Sequence, residues 1–238
     1  MRTFSITTKI ALTFILAHFL LLGCEEELPS QVTPSTKDNP AKFNPTTPAP
    51  LASENTKPVV SKIQKAYFAG GCFWCVESTL ESINGINEVI SGYTGGHTIN
   101  PTYQQVCQGQ GNHYEAVEVQ FDPTVISYDK LITAFWRLID PTDPSGSFVD
   151  RGMQYASAIF YANASQHTIA TKSKQALTDS HKFSNPIATK ILALDVFYPA
   201  ETYHQNYYKK KPAHYQRYRQ GSGRDQYIAK TWGTKHNH

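Results

Sequence analysis

The chain is poor in cysteine, nearly balanced in charge, and without an apolar run long enough to stay in a bilayer as a mature helix. Four cysteines occur in 238 residues, and none follows Cys107. Any thiol chemistry must therefore be sought in the first half. Lys and Arg number 22 against 19 Asp and Glu, and without Arg2 and Lys9 at the extreme start the count is 20 against 19. That balance argues against nucleic acid as a partner. The one basic run, Lys209-Lys210-Lys211, reads as a solvated helix end. The nine histidines show no spacing with cysteine that suggests a metal site, and there is no internal repeat. The longest apolar run, Ile10 to Leu22, is broken by Thr13 and His18. It is too short to span a membrane comfortably and follows a positive start, so it reads as the core of a signal peptide.

That run ends in Leu21-Leu22-Gly23-Cys24, which resembles the lipobox of bacterial lipoproteins. The resemblance implies cleavage before Cys24 and acylation of its thiol and new amino terminus, enough lipid for stable attachment. Residues 1–24 are thus expected to be a lipoprotein signal peptide with its lipobox cysteine. Residues 25–62 then hold seven of the fourteen prolines, with Ser, Thr, Asn and Lys between them and Phe43 as the only aromatic. Such a segment cannot bury enough apolar surface to offset its ordering entropy, and is expected to be a disordered tether reaching up to ~100 Å. Residues 63–238 suit one domain with one core. The expected product is an exported monomer, lipid-anchored to the cell envelope. With Cys24 taken by lipid, Cys72, Cys75 and Cys107 remain, an odd number that does not suggest a static disulfide framework.

Within the domain, Lys65 to Ala69 predicts a strand leading into Gly70-Gly71 and a helix from Cys72 to about Ile83. Strands are predicted over 86–93, 113–121, 155–161 and 190–197, and helices over 127–138, 166–178 and 201–210, the last stopped by Pro212. A loop is expected over 140–152, and the tail after Gly221 carries no assignable pattern. Irregular alternation of strands and helices indicates an α/β or α+β domain around a mixed sheet.

The most informative stretch is Ala69-Gly70-Gly71-Cys72-Phe73-Trp74-Cys75. Glycines let the chain turn sharply and let a ligand approach the backbone. Cysteines at i and i+3 lie on one side of a helical turn, within reach of each other after modest rearrangement. A thiolate at Cys72 would gain from the free N–H groups of the helix start. Taken with the family resemblance that five segments carry, given below, these residues suit reduction of a sulfoxide, which needs a soft nucleophile to attack sulfur and an acid to protonate the leaving oxygen. Cys72 is the candidate nucleophile and Glu115 the candidate acid, provided that burial raises its pKa. Tyr103 and Tyr155 are candidate hydroxyl donors to that oxygen, and Phe73 and Trp74 a candidate pocket for the methyl group.

Five segments in order carry a close resemblance to the A-type peptide methionine sulfoxide reductases: Gly71–Trp74, Ser91–Gly96, Asn100–Tyr103, His113–Val117 and Gly152–Tyr155. The resemblance implies a ferredoxin-like mixed sheet with flanking helices and a long irregular C-terminal coil. It assigns the same roles to Cys72, Glu115, Tyr103, Tyr155, Phe73 and Trp74, and makes Asp150 an acidic wall residue and His204 structural or site-lining. It also implies the S-epimer of methionine sulfoxide, in oxidised proteins or free, as substrate, with no cofactor. Attack leaves a sulfenic acid on Cys72 that a second thiol must resolve. Many members carry resolving cysteines in the C-terminal coil, which this chain lacks. Cys75 is favoured by its spacing, with Cys107 the competitor, and a thioredoxin-like partner would reduce the disulfide. Two other readings stand beside this one. A thioredoxin-like C-x-x-C disulfide oxidoreductase would have no use for Glu115, and a non-enzymatic lipoprotein would have none for Cys72.

Overall fold

Along the first strand, β1 (Gln64–Ala69), Ala66 and Phe68 face one apolar cluster while Tyr67 and Ala69 face another. Period-two alternation with both faces apolar is the pattern of a central strand covered on both sides. The computed structural model describes residues 63–233 and places β1 near the middle of a six-stranded sheet. The signal peptide, Cys24 and the tether expected over 1–62 lie outside the described residues.

After β1 come α1 (Phe73–Leu80), β2 (Ile86–Thr94), α2 (Tyr103–Cys107) and β3 (Tyr114–Phe121). They are followed by α3 (Tyr128–Trp136), the short hairpin β4 (Gly146–Ser147) and β5 (Asp150–Arg151), and then β6 (Ala158–Tyr161). The sheet runs β7-β6-β1-β3-β2-β8, with β7 at Lys190–Ala193 and β8 at Tyr198–Pro199. All its pairs are antiparallel except β6 with β7. The four middle strands, joined in the sequence β1-α1-β2-β3-α3-β6, have the ferredoxin-like order expected above. Helices α1, α3 and α4 (Ala164–Asp179) bury Val76, Leu80, Leu131, Phe135 and Ala170 against one face. Phe160, Leu192 and Phe197 cover part of the other. Ser127 caps α3 by accepting from the Lys130 amide at 3.3 Å, so that helix begins where the sequence places it.

Four regions differ from expectation, one being the strand predicted over 190–197, which ends at Ala193. The strand predicted over 155–161 begins only at Ala158, because Met153–Tyr155 forms a single 3-10 turn. The helix predicted over 201–210 is confined to α5 (Tyr207–Lys210). Beyond it, where an irregular coil was expected, lie α6 (Pro212–Gly221) and α7 (Arg224–Trp232). Pro212 does not end a helix but occupies the first turn of α6, where its missing N–H costs nothing.

The turn between β1 and α1 is fixed by Gly71, whose φ of +83° belongs to the left-handed region. A Cβ here would sit 2.5 Å from the Ser147 Cβ and 2.9 Å from an Arg224 nitrogen. Gly109 shares the left-handed backbone (φ +73°) but has open space around it. Gly71→Ala is therefore expected to lower the unfolding free energy by at least ~2 kcal/mol, and Gly109→Ala by only about 1 kcal/mol. Urea titrations of the two variants measure the difference, and equal losses would contradict a packing role for Gly71.

Candidate active site

The residue parity of β3 decides which way the candidate acid points. Val117, Val119 and Phe121 face the α1–α3 core, so Glu115, two residues earlier, faces the same side. Its side chain meets the start of α1, where the Phe73 amide donates to Glu115 Oε2 at 3.1 Å. A free N–H of a first helical turn seeks such an acceptor. The carboxyl is only 2% exposed. Burial dominates its protonation and drives its pKa up to about 8; the Phe73 amide opposes this, while the charges of Asp150 and Cys75 add to it.

Cys72 occupies the N-cap of α1. Its amide hydrogen-bonds the carboxylate of Asp150, which stands on the β4–β5 hairpin and also accepts from the Tyr218 hydroxyl. The expected thiolate is not the resting form of Cys72. Burial pushes the thiol well up, the hydrogen bond with Cys75 and the Glu115 charge add to this, and the Tyr218 hydroxyl pulls it back. Desolvation outweighs the helix start because the sulfur lies in a nearly closed site. Cys75 lies behind Cys72, 1% exposed, with its amide on the Cys72 carbonyl at 3.1 Å.

Cys72, Glu115, Tyr103 and Tyr155 open on one cavity of about 70 Å³, walled by Phe73, Trp74, Asp150 and Tyr218. That is roughly half the ~150 Å³ of a void that accepts benzene, so it admits a methyl sulfinyl group and no ring. The hydroxyls of Tyr103 and Tyr155 are held protonated, chiefly by burial, and so are donors at any ordinary pH. Both touch Cys107, with Tyr155 Oη 3.8 Å from its sulfur. Cys107 thus sits behind the two tyrosines rather than in the cavity wall. The Tyr103 amide is tied to Glu201 Oε1 at 2.8 Å, and Tyr93 donates to the other oxygen at 2.8 Å.

Trp74 is oriented from the C-terminal side. Its indole N–H donates to His204 Nδ1 at 3.1 Å, and it stacks on Tyr207 at 3.9 Å and 6°. Burial lowers the His204 pKa to about 4, so the ring is neutral and Nδ1 is free to accept. His204 therefore positions the pocket wall rather than lining it. All seven cavity residues named from the sequence meet here, and Cys75 lies directly behind them. Tyr218 and Tyr207 were missed. They sit in a polar, tyrosine-rich segment whose apolar residues show no clear period, and only their number gave any signal. Among the described residues no three His, Cys, Asp or Glu converge as a metal site, and no helix is long and apolar enough to cross a membrane.

A buried sulfur facing a protonated carboxylic acid and two phenol donors defines a thiol reductase that acts on a small, oxygen-bearing group. Comparison with known proteins narrows this. The family model for peptide methionine sulfoxide reductase matches residues 64–236. A peptide methionine sulfoxide reductase MsrA of Bacillus subtilis (strain 168) is 54% identical over 174 residues, covering 73% of this chain and 98% of that protein. The Listeria innocua MsrA is 52% identical over 170 residues, covering 71% and 96%. Among solved structures, reduced Mxr1 of Saccharomyces cerevisiae superposes with a TM-score of 0.61 at 30% identity, covering 67% of this chain and 91% of that one. Methionine sulfoxide reductase A of Corynebacterium diphtheriae gives 0.58 at 33%, covering 64% and 76%. The chain belongs to the peptide methionine sulfoxide reductase family. Its activity is the thiol-dependent reduction of methionine sulfoxide.

A Glu115 pKa of about 8 sets a sign. The native carboxyl keeps a proton that the unfolded chain releases near the ordinary ~4.3. The stability conferred by that proton is thus full below ~4.3 and is lost as pH rises through about 8. Catalysis that needs the acid form falls over the same upper limb. Single-turnover release of methionine is expected to decline above about pH 8, and Glu115→Gln should be slow and flat across it. Quenched-flow measurement between about pH 6 and 10 checks this, and an unchanged alkaline limb in the variant would contradict it.

Proposed function

We propose that Cys72 is the nucleophile of a reductase for the S-epimer of methionine sulfoxide, and that Cys75 resolves the sulfenic acid formed on it. The observation that carries this reading is the convergence of Cys72, Glu115, Tyr103 and Tyr155 on one small cavity. The methyl group sits between Phe73 and Trp74, and the sulfoxide oxygen points at the two hydroxyls and at Glu115. Cys72 sulfur attacks the sulfoxide sulfur as Glu115 gives its proton to the oxygen. The oxygen passes to Cys72 as sulfenic acid, methionine leaves with its sulfur reduced by two electrons, and the proton lost by the Cys72 thiol restores Glu115. Hydroxyls held in place before reaction stabilise the developing oxyanion without reorganising. Asp150 and Tyr218 anchor the Cys72 end of the site.

Cys75 then attacks the Cys72 sulfur, forming the disulfide as the S–O bond breaks and the oxygen leaves as water. Its place on the same helical turn, within hydrogen-bonding distance of Cys72, supports it over Cys107, which lies behind the tyrosines. A thioredoxin-like dithiol reduces the disulfide, and no cofactor takes part. The lipobox-like Leu21-Leu22-Gly23-Cys24 supports an exported monomer anchored by lipid on Cys24, with oxidised proteins of the envelope as substrates.

Turnover of methionine S-sulfoxide with dithiothreitol and with thioredoxin tests these roles. Cys72→Ser is expected to be inactive, and Glu115→Gln to lose about 10²–10⁴-fold. Cys75→Ser should release one methionine per protein, accumulate sulfenic acid trapped by dimedone, and stop with thioredoxin. Cys107→Ser should turn over near the wild-type rate. Thioredoxin-supported turnover by Cys75→Ser would overturn the resolving role. Separately, Cys24→Ser should move the protein from the membrane fraction to the soluble one, and its retention there would count against the anchor.

A further inference from the structure

Arg224 is the largest fully buried side chain among the described residues, 1% exposed, and none of the described ion pairs involves it. Its nitrogens donate to the carbonyls of Leu138 at 2.5 Å and Gly70 at 2.9 Å, while Nε has no partner. The guanidinium carbon lies 4.6 Å from the centre of the Phe148 ring. Taking a full charge out of water against carbonyls and a ring alone is costly unless an anion shares the low-dielectric region. Gly70 stands two residues before Cys72, so Arg224 is moored at the entrance of the redox turn. Arg219 is moored at its exit. It donates to the hydroxyls of Ser78 at 3.3 Å and Thr79 at 3.0 Å, and both hydroxyls donate in turn to the Cys75 carbonyl. Arg219 already has a carboxylate, Asp225, at 2.8 Å. Two cations from α6 and α7 therefore bracket the Cys72–Cys75 turn; among the described ion pairs the deeper one has no carboxylate in contact, and the Asp150 carboxylate acts on it only through its charge.

We propose that Arg224, seconded by Arg219, is the built-in counter-charge of Cys75 and keeps it as the attacking thiolate when Cys72 becomes a sulfenic acid. This rests on the reading of Cys75 as the resolving cysteine. The groups facing Cys75 are Cys72 and Glu115, Asp150 on β5, Tyr215, Tyr218 and Arg219 on α6, and Arg224 on α7. The hydrogen bond from Cys72 lowers the Cys75 thiol most; burial opposes it, Arg224 and then Arg219 lower it further, and Asp150 raises it. When Cys72 is oxidised the proton-sharing within the pair changes, and the fixed cations remain. The step balances as written above: the Cys75 sulfur supplies the electron pair for the S–S bond, and the Cys72 S–O bond breaks with uptake of one proton to give water. Arg224 is thus a positioning residue that acts through Cys75.

The test is the pH profile of disulfide formation after one turnover, read as dimedone-trapped sulfenic acid against disulfide by mass spectrometry. Arg224→Met is expected to move the midpoint of the profile up by about one unit, slowing resolution on the order of fivefold at neutral pH and recovering at about pH 9. Arg224→Lys should return most of the way to wild type. Arg219→Gln, whose site is nearer solvent, should shift the midpoint in the same direction by less, and it decides the matter if Arg224→Met does not fold. A merely structural arginine would lower the amount of folded protein and leave the midpoint in place, and an unmoved midpoint in the folded variants overturns the proposal. Cys75→Ser separates the two claims. If it still forms a disulfide at the wild-type rate, the resolving role itself is wrong. If it accumulates sulfenic acid while the arginine variants keep the wild-type midpoint, only the counter-charge fails.

Discussion

The contact on which the site depends is the Glu115 carboxyl against the Phe73 amide at the start of α1. It joins the central sheet to the helix start that carries Cys72 and Cys75. It also satisfies one free N–H of that helix, and it places a carboxyl almost wholly out of bulk water, open only to the small cavity. A carboxylate there would be poorly solvated and would face Asp150, so the proton stays on at neutral pH. A single placement thus supplies a protonated carboxyl and sets it beside the residue that follows Cys72. The same desolvation acts on Cys72, which rests as a thiol. On the proposed mechanism, the site holds its proton on Glu115 and its electrons on Cys72 until an oxygen arrives to take both.

The second half of the site comes from the far end of the chain. His204 and Tyr207 set the plane of Trp74, Tyr218 ties Asp150 beneath Cys72, and Arg219 and Arg224 grip the backbone on either side of the C-x-x-C turn. None of these contacts is a large apolar anchor. They are hydrogen bonds, ring stacks and cation contacts, each modest, which together hold three short helices against α1, the turn before it and the β4–β5 hairpin. Helices of four, ten and nine residues are marginal alone and owe their form to this docking.

The sheet was largely legible because strands such as β1 and β3 carry period-two alternation and α3 carries a cap and an apolar face. The motifs around Cys72, Glu115 and the two tyrosines brought the cavity into view before the fold did. The facing of Glu115 was also present in the sequence, in its parity with Val117 and Val119, but only burial of those valines turns parity into direction. What escaped was the C-terminal region. Pro212 reads as a stop unless it lies in the first turn, and the tail after Gly221 carries no assignable pattern although Gly221 closes α6 and Gly223 precedes α7. The β4–β5 hairpin, two residues to a strand, is too short to leave a pattern. No sequence pattern singles out Arg224, because its partners, the carbonyls of Gly70 and Leu138, are set by the fold.

The protonation state of Glu115 is the most direct test of this account, and infrared difference spectroscopy with isotope-labelled glutamate reads it without turnover. A protonated-carboxyl band that is present at neutral pH, disappears with a midpoint near 8 and is missing from Glu115→Gln is the predicted result. A carboxylate already ionised at neutral pH, with its midpoint near the ordinary ~4.3, would contradict the account at its centre.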